Sequence, residues 1–302
     1  MRNRPVLNLI KALFWLVVAA LASLVFIAFM NGENPFMIRY EEGDLRVLHQ
    51  ETISEDISSI EIDWTSGGVD ILKSTDDKIH IVERSTAELD ESKWLKTAVS
   101  GETLKITSRN RNVFFFFFWH TPQTFLEIRL PDKLYDEVKL NLPSGLNRIF
   151  ALDAKTVDID ATSGAQYFDN ITADSFRLNM TSGLAVLKDF DVDDLSMTMT
   201  SGNLTFTGIA SESFRAEMTS GIFNATLRDH APSTLDFSMT SGQAELFVPA
   251  DADFKLTLEK TSGSFNADFT NTSNGNTYIH KNGQDDYELS MTSGSLSFHV
   301  NN

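Results

Sequence analysis

A Ser-Gly step recurs nine times at one place in a hydrophobic pattern, at Gly67, Gly145, Gly164, Gly183, Gly202, Gly221, Gly242, Gly263 and Gly294. Eight copies read Thr-Ser-Gly and the other reads Pro143-Ser144-Gly145. From Gly145 to Gly221 the positions rise in steps of 19, and the later steps are 21, 21 and 31. A period of about 20 residues predicts a solenoid, because one such repeat cannot bury its own apolar face and must stack on its neighbours.

Aligned on the glycines, the residues seven, five and three places earlier are apolar: Phe176, Leu178 and Met180; Leu195, Met197 and Met199; Phe214, Ala216 and Met218. Alternation of this kind marks a strand with one buried face. A second apolar pair follows two and four places after the glycine, as in Val69 and Ile71, Leu204 and Phe206, Phe265 and Ala267, and Leu296 and Phe298. Five positions separate the two sets, an odd number, so the chain must bend between them for both to face inward. Glycine supplies positive φ at such a corner, and Ser and Thr hydroxyls bond the groups a bend exposes. Stacking would set these hydroxyls in ladders. Nine copies are too many for one catalytic site, so the glycines are structural corners.

The expected fold is all-β, a right-handed parallel β-solenoid, since crossovers between parallel strands take that hand. Eight to ten coils about 4.8 Å apart make a rod on the order of 40–50 Å long. The long interval between Gly67 and Gly145 lacks the signature and is expected to form a less regular cap. The predicted organisation is a cytoplasmic stub and transmembrane anchor over 1–31, an acidic tether over 32–56, and the solenoid over 57–302. Within the last, 57–145 is the less regular capping part and 146–302 carries the regular coils.

Arg2, Arg4 and Lys11 precede an uncharged run over 12–30. Nineteen residues of helix span about 28 Å, close to the hydrocarbon thickness of a bilayer. Basic residues ahead of the run place the N-terminus in the cytoplasm and the C-terminal part outside it, at the cell membrane. A cleaved signal peptide competes, with Ala20-Leu21-Ala22 as the cleavage site, but would leave Leu24-Val25-Phe26-Ile27 near the new terminus. The absence of cysteine rules out disulfides, thiolate ligands and lipoprotein attachment. With a formal charge of −17 overall, and three positive charges and no acid through Asn31, the remainder carries −20. Such a surface repels nucleic acid, which is not an expected partner.

The segment Ile60-Glu61-Ile62-Asp63-Trp64-Thr65-Ser66-Gly67-Gly68-Val69-Asp70-Ile71 resembles the opening of the putative-adhesin domain of bacterial envelope proteins, a domain of unknown function. Leu126-Glu127-Ile128-Arg129-Leu130-Pro131 is similar to its strand-plus-proline step, and Tyr278-Ile279, Asn282-Gly283 and Leu289 to Phe298 to its closing coil. The resemblance covers roughly 57–302. It implies a β-solenoid of the cell envelope, in a group some of whose members accompany envelope-stress signalling. This chain departs from the pattern in its regular Met-Thr-Ser-Gly core and its phenylalanine run, so no functional residue carries over.

That run, Phe114, Phe115, Phe116, Phe117, Phe118 and Trp119, is the candidate interaction patch. In a strand its alternate side chains face opposite ways, so one set needs a cover from outside the strand. Either the N-terminal region supplies that cover, or the set forms an exposed aromatic patch for a membrane, a partner or self-association. The six histidines are scattered and form no i, i+4 zinc pair. Asp189, Asp191, Asp193 and Asp194 crowd one connection, but the glycine-rich calcium nonapeptide is missing. Six residues before each glycine, Lys139, Asp158 and Arg177 form a ladder of alternating charge if their coils adjoin. No catalytic residue, metal or cofactor is predicted, because short connections offer no cleft with convergent acids or bases. The expected role is a non-catalytic binding or scaffold element, with an envelope protein or a glycan as partner. A glycan-binding adhesion module is the alternative, and an enzyme acting on polysaccharide stands behind both.

Overall fold

The computed structural model describes residues 45–108, 123–269 and 272–301, apart from Ser66. The compact unit from Arg46 onward is all β. Its first strands are β1 (Arg46–Ile53), β2 (Ser59–Asp63), β3 (Gly68–Lys73), β4 (Ile79–Ser85), β5 (Lys96–Ser100), β6 (Thr103–Thr107), β7 (Thr124–Leu130) and β8 (Tyr135–Leu142). Then β9 (Leu146–Ala161) and β10 (Ala165–Leu227) wind through successive coils, their ladders continuing round the corners. The chain finishes with β11 (Thr234–Met239), β12 (Gln243–Val248), β13 (Phe254–Lys260), β14 (Ser264–Asp268), β15 (Thr272–Asn274), β16 (Thr277–Ile279), β17 (Asp285–Met291) and β18 (Ser295–Val300).

Coil upon coil, the pairing is parallel and keeps the repeat in register: Phe176 on Val157, Leu178 on Ile159, Met180 on Ala161. The predicted inward columns are buried from Ile60, Ile62 and Trp64 through Tyr287, Leu289 and Met291. Inside, Phe168, Phe176, Phe190, Phe206, Phe214, Phe223 and Phe237 form a file of rings with centroids 4.9–6.4 Å apart, most of them edge to face. Edge-to-face contact sets the positive rim of one ring against the negative face of the next.

Three successive coils also bend at a place that the glycine pattern does not mark. Six residues after Gly145, Gly164 and Gly183, residues Ala151, Asn170 and Asp189 take φ of 54°, 59° and 53°. Beyond them Leu152 and Ala154, Ile171 and Ala173, and Phe190 and Val192 turn inward. The interval from four to seven places after the glycine is again odd, so a left-handed residue restores the inward parity, and Asn and Asp tolerate it best.

Stacking order departs from sequence order at both ends. The Gly67 coil, β2 and β3, lies directly against the Gly145 coil, β8 and the start of β9. Its other side carries β6 and β7, so the outermost coil at that end comes from the middle of the interval that lacks the signature. Antiparallel strands then close the end, β5 on β6, β4 on β7 and β1 on β4. The acidic stretch expected to be a tether thus contains a strand, β1, in its second half. At the far end β17 and β18 insert between the Gly242 coil and the Gly263 coil. The long excursion before Gly294 that permits this carries the hairpin of β15 and β16, laid antiparallel on β13.

This order explains the one apolar pair that fails to bury. Phe265 is half-buried and Ala267 exposed, because their coil is last in space though not in sequence. Two inward positions of the repeated coils are polar among the described residues. Asn147 and Gln166, each two residues after its glycine, are fully buried: the Asn147 Nδ2 donates to Gln166 Oε1 at 2.9 Å, and its Oδ1 accepts from the Val69 amide at 2.9 Å.

Candidate binding surface

The nine corner glycines form one column with φ between +91° and +126°. Each is in the left-handed region and each is roofed by backbone, since a Cβ on any of them would lie 1.9–2.3 Å from a carbonyl oxygen of the adjacent coil. The column runs Gly67, Gly145, Gly164, Gly183, Gly202, Gly221, Gly242, Gly294, Gly263.

The serines beside them do not form a ladder of hydroxyls as expected. Ser182 donates to the Thr162 carbonyl at 3.4 Å, Ser293 to the Thr240 carbonyl at 3.2 Å and Ser262 to the Thr292 carbonyl at 2.9 Å. At the bend a hydroxyl lies nearer the carbonyl of the neighbouring coil than the hydroxyl above it. Hydroxyls do meet one place after the glycine in the last coil, where Ser264 reaches Ser295 Oγ at 3.1 Å.

The threonines point outward. Thr200, Thr219, Thr240, Thr292 and Thr261 are exposed and stand in that order along the stack, one per coil. They form one wall of an open groove of about 580 Å³ that crosses five coils. Glu217, Ser238 and Glu259 belong to the opposite wall, and buried methionines such as Met218 and Met239 lie beneath. Strand spacing repeats the hydroxyls about every 4.8 Å. The groove therefore offers repeated donors and acceptors along a line, with carboxylates on two of its five coils, Glu217 and Glu259, rather than a pocket converging on one atom.

Other charges are absorbed in ladders on the outer faces. Lys105, Glu61, Lys139, Asp158 and Arg177 occupy one column in adjoining coils. Lys105 meets Glu61 at 2.8 Å and Arg177 grips Asp158 with two nitrogens at 2.9 and 3.0 Å. Lys139 departs from the expected ladder: its ammonium bonds Glu137 of its own strand at 2.6 Å, a shorter reach for a flexible side chain. The dense aspartates are likewise engaged, Asp189 by Lys188 and Arg228, Asp193 by Ser211 and Asp194 by Ser213. Among the described residues no three His, Asp or Glu side chains converge on a metal position.

The described histidines are dispersed. His80 bonds Asp76 at 2.9 Å, His280 faces Phe254, and His299 stacks on Phe247 with centroids 4.6 Å apart. The phenylalanine run, Phe114 to Trp119, lies outside the described residues, as does the apolar segment 12–30. The described residues include no helix long and apolar enough to cross a membrane. The groove itself was missed in the sequence, although its signal, a threonine two places before almost every glycine, was in plain sight.

Among solved structures, two from Parabacteroides distasonis, described as a putative lipid binding protein and a putative adhesin, each align with 14% identity and a TM-score of 0.43, covering 86% of this chain and 98% of theirs. A putative adhesin from Bacteroides fragilis aligns with 11% identity and a TM-score of 0.37, covering 84% of this chain and 97% of its own. No curated protein matches the chain. The family model called Toastrack DUF4097 matches residues 57–298, which take in every coil of the stack, and the chain belongs to that family.

Proposed function

We propose that this chain is a non-catalytic, adhesin-like binding or scaffold protein of the bacterial cell envelope, held in the membrane by residues 12–30 with its right-handed solenoid outside the cytoplasm. The carrying observation is the groove over the Gly202, Gly221, Gly242, Gly294 and Gly263 coils: a linear, open, repetitive contact surface with no convergent acid–base group. Surfaces of this kind suit an extended partner, because each coil adds the same small increment of contact. Relatives in envelope-stress systems, implied by the sequence resemblance, point to a partner within such a system.

A glycan as the extended partner is the second reading, favoured by the row of exposed threonine hydroxyls. A glycan array probed with the detergent-solubilised full chain separates the two. Sugar binding that disappears in a Thr219→Lys/Thr240→Lys variant supports the adhesion module, whereas silence on the array with cross-linking to an envelope protein in cells supports the scaffold. Release of the chain from membranes by alkaline carbonate would remove the anchor from either reading.

A further inference from the structure

The two ends of the solenoid are closed unequally. At the first end both outermost strands are covered, β6 by β5 and β7 by β4. At the far end β13 is covered by β16, but β14 pairs only with β18 among the described residues. Proteins blunt open edges with lysine, proline or a bulge. Here Ser264-Phe265-Asn266-Ala267-Asp268 has none of these and carries a single charge, at its last residue.

The direction of the free groups follows from the pairing. The Ser264 amide donates to the Gly294 carbonyl, toward β18, at 2.9 Å. Alternation turns the amides and carbonyls of Asn266 and Asp268 the same way and those of Phe265 and Ala267 outward. An antiparallel strand added at that edge bonds through Phe265 and Ala267.

We infer that the partner strand is β14 of a second copy of this chain, paired antiparallel about a two-fold axis at Asn266. That register is self-complementary at every position. Phe265 lies opposite Ala267, a large apolar residue against a small one on the inward face, where Phe265 is half-buried and Ala267 exposed in the single chain. Ser264 lies opposite Asp268, a neutral side chain against a carboxylate, so no like charges meet in a directly opposed pair. The exposed Asn266 lies opposite itself, and an amide can donate to its own copy. The two outward-pointing pairs, Phe265 with Ala267 and its symmetric mate, exchange backbone hydrogen bonds, and Asn266 occupies the close, non-hydrogen-bonded site on the axis. An isologous contact of this kind closes at two copies.

The absence of cysteine makes the register directly readable. In the proposed dimer, Asn266→Cys brings two sulfurs onto the axis with Cα atoms about 4.5 Å apart, within disulfide range. Ser264→Cys separates its two copies by about 14 Å, beyond that range. With the full chain in detergent, mild oxidation is expected to give a covalent dimer for Asn266→Cys and none for Ser264→Cys. Sedimentation is expected to show a dimer for the unmodified chain and a monomer for Ala267→Lys, with unchanged melting because Ala267 is exposed. Equal cross-linking of both cysteine variants, or an unmodified chain that sediments only as a monomer, would overturn the inference. A dimer that survives Ala267→Lys with no Asn266→Cys cross-link would also overturn it, placing the contact elsewhere.

Discussion

The carbonyl oxygen of Gly183 lies 2.1 Å from where a Cβ on Gly202 would stand. The contact is with backbone, which cannot swing aside, and the same relationship repeats along the whole column. The glycine repeat is therefore a steric requirement of stacking at this corner as well as a requirement for positive φ.

Gly202→Ala should accordingly be among the most damaging single substitutions in the chain. It combines a left-handed backbone, which costs about 1–2 kcal/mol for an L-residue, with a backbone clash that forces two coils apart. A loss of about 3 kcal/mol or more in denaturant unfolding is expected. Gly275→Ala is the control: φ is +65° there, but nothing lies within 4 Å of its Cβ position, so only the conformational cost of about 1 kcal/mol should appear. Equal losses at both sites would show that crowding plays no part.

The buried amides of Asn147 and Gln166 give a second test, since the penalty depends on which partner is left alone. Asn147→Leu strands the Val69 amide and the Gln166 side chain together, and should cost about 2–4 kcal/mol. Adding Gln166→Leu should recover part of that loss, because one stranded group disappears and apolar surface replaces it. A double variant no more stable than Asn147→Leu alone would contradict this account.

Asp253 controls the excursion before the last glycine. Its Oδ1 accepts from the amides of Asn282 and Gly283 at 2.7 and 2.6 Å, and its Oδ2 from the Asn282 side chain at 2.8 Å. Burial acts to raise the Asp253 carboxyl, yet these hydrogen bonds leave it below its ordinary value. Asp253→Ala should free the Asn282 and Gly283 amides and speed their hydrogen exchange about tenfold or more, as expected for a lost charge-assisted bond. The amides of β10 should be unaffected. Exchange that accelerates uniformly across the solenoid would mean that Asp253 supports the stack rather than the loop.

How far the fold could be read from the sequence depended on whether a residue obeyed the repeat. Phe176, Leu178 and Met180 were legible because three alternating apolar residues ahead of a glycine admit one inward face. The bend at Ala151 was hidden, since alanine gives no left-handed signal, although Asn170 and Asp189 in the same column do. Asn147 and Gln166 were hidden because each makes sense inside the solenoid only beside the other. The stacking order at the ends was illegible for a different reason. The Gly294 and Gly263 coils share one pattern, so either could sit on the Gly242 coil, and the choice rests on the β15–β16 hairpin covering β13. The groove needed the stack itself, since a threonine that recurs once per repeat becomes a surface only when the coils adjoin.

The cap at the first end should show its own acid sensitivity, through Glu127. On β7, this carboxylate accepts from Arg84 of β4 at 2.6 Å and from Arg129 at 2.9 Å. Partial burial pushes its pKa up, but hydrogen bonds and charge from the two arginines outweigh that and hold it below the ordinary value. A carboxyl lowered on folding stabilises the native state above its unfolded pKa, about 4.3 for glutamate, and loses that contribution as the pH falls through the native value. Glu127→Gln should therefore be less stable than the unmodified chain near pH 7, by about 1–2 kcal/mol for a partly exposed pair. Thermal melts of the two proteins should converge as the pH is lowered from about 5 toward 3. A gap that stayed constant over that range would assign the loss to packing, and would leave the join between β4 and β7 to its backbone ladder alone.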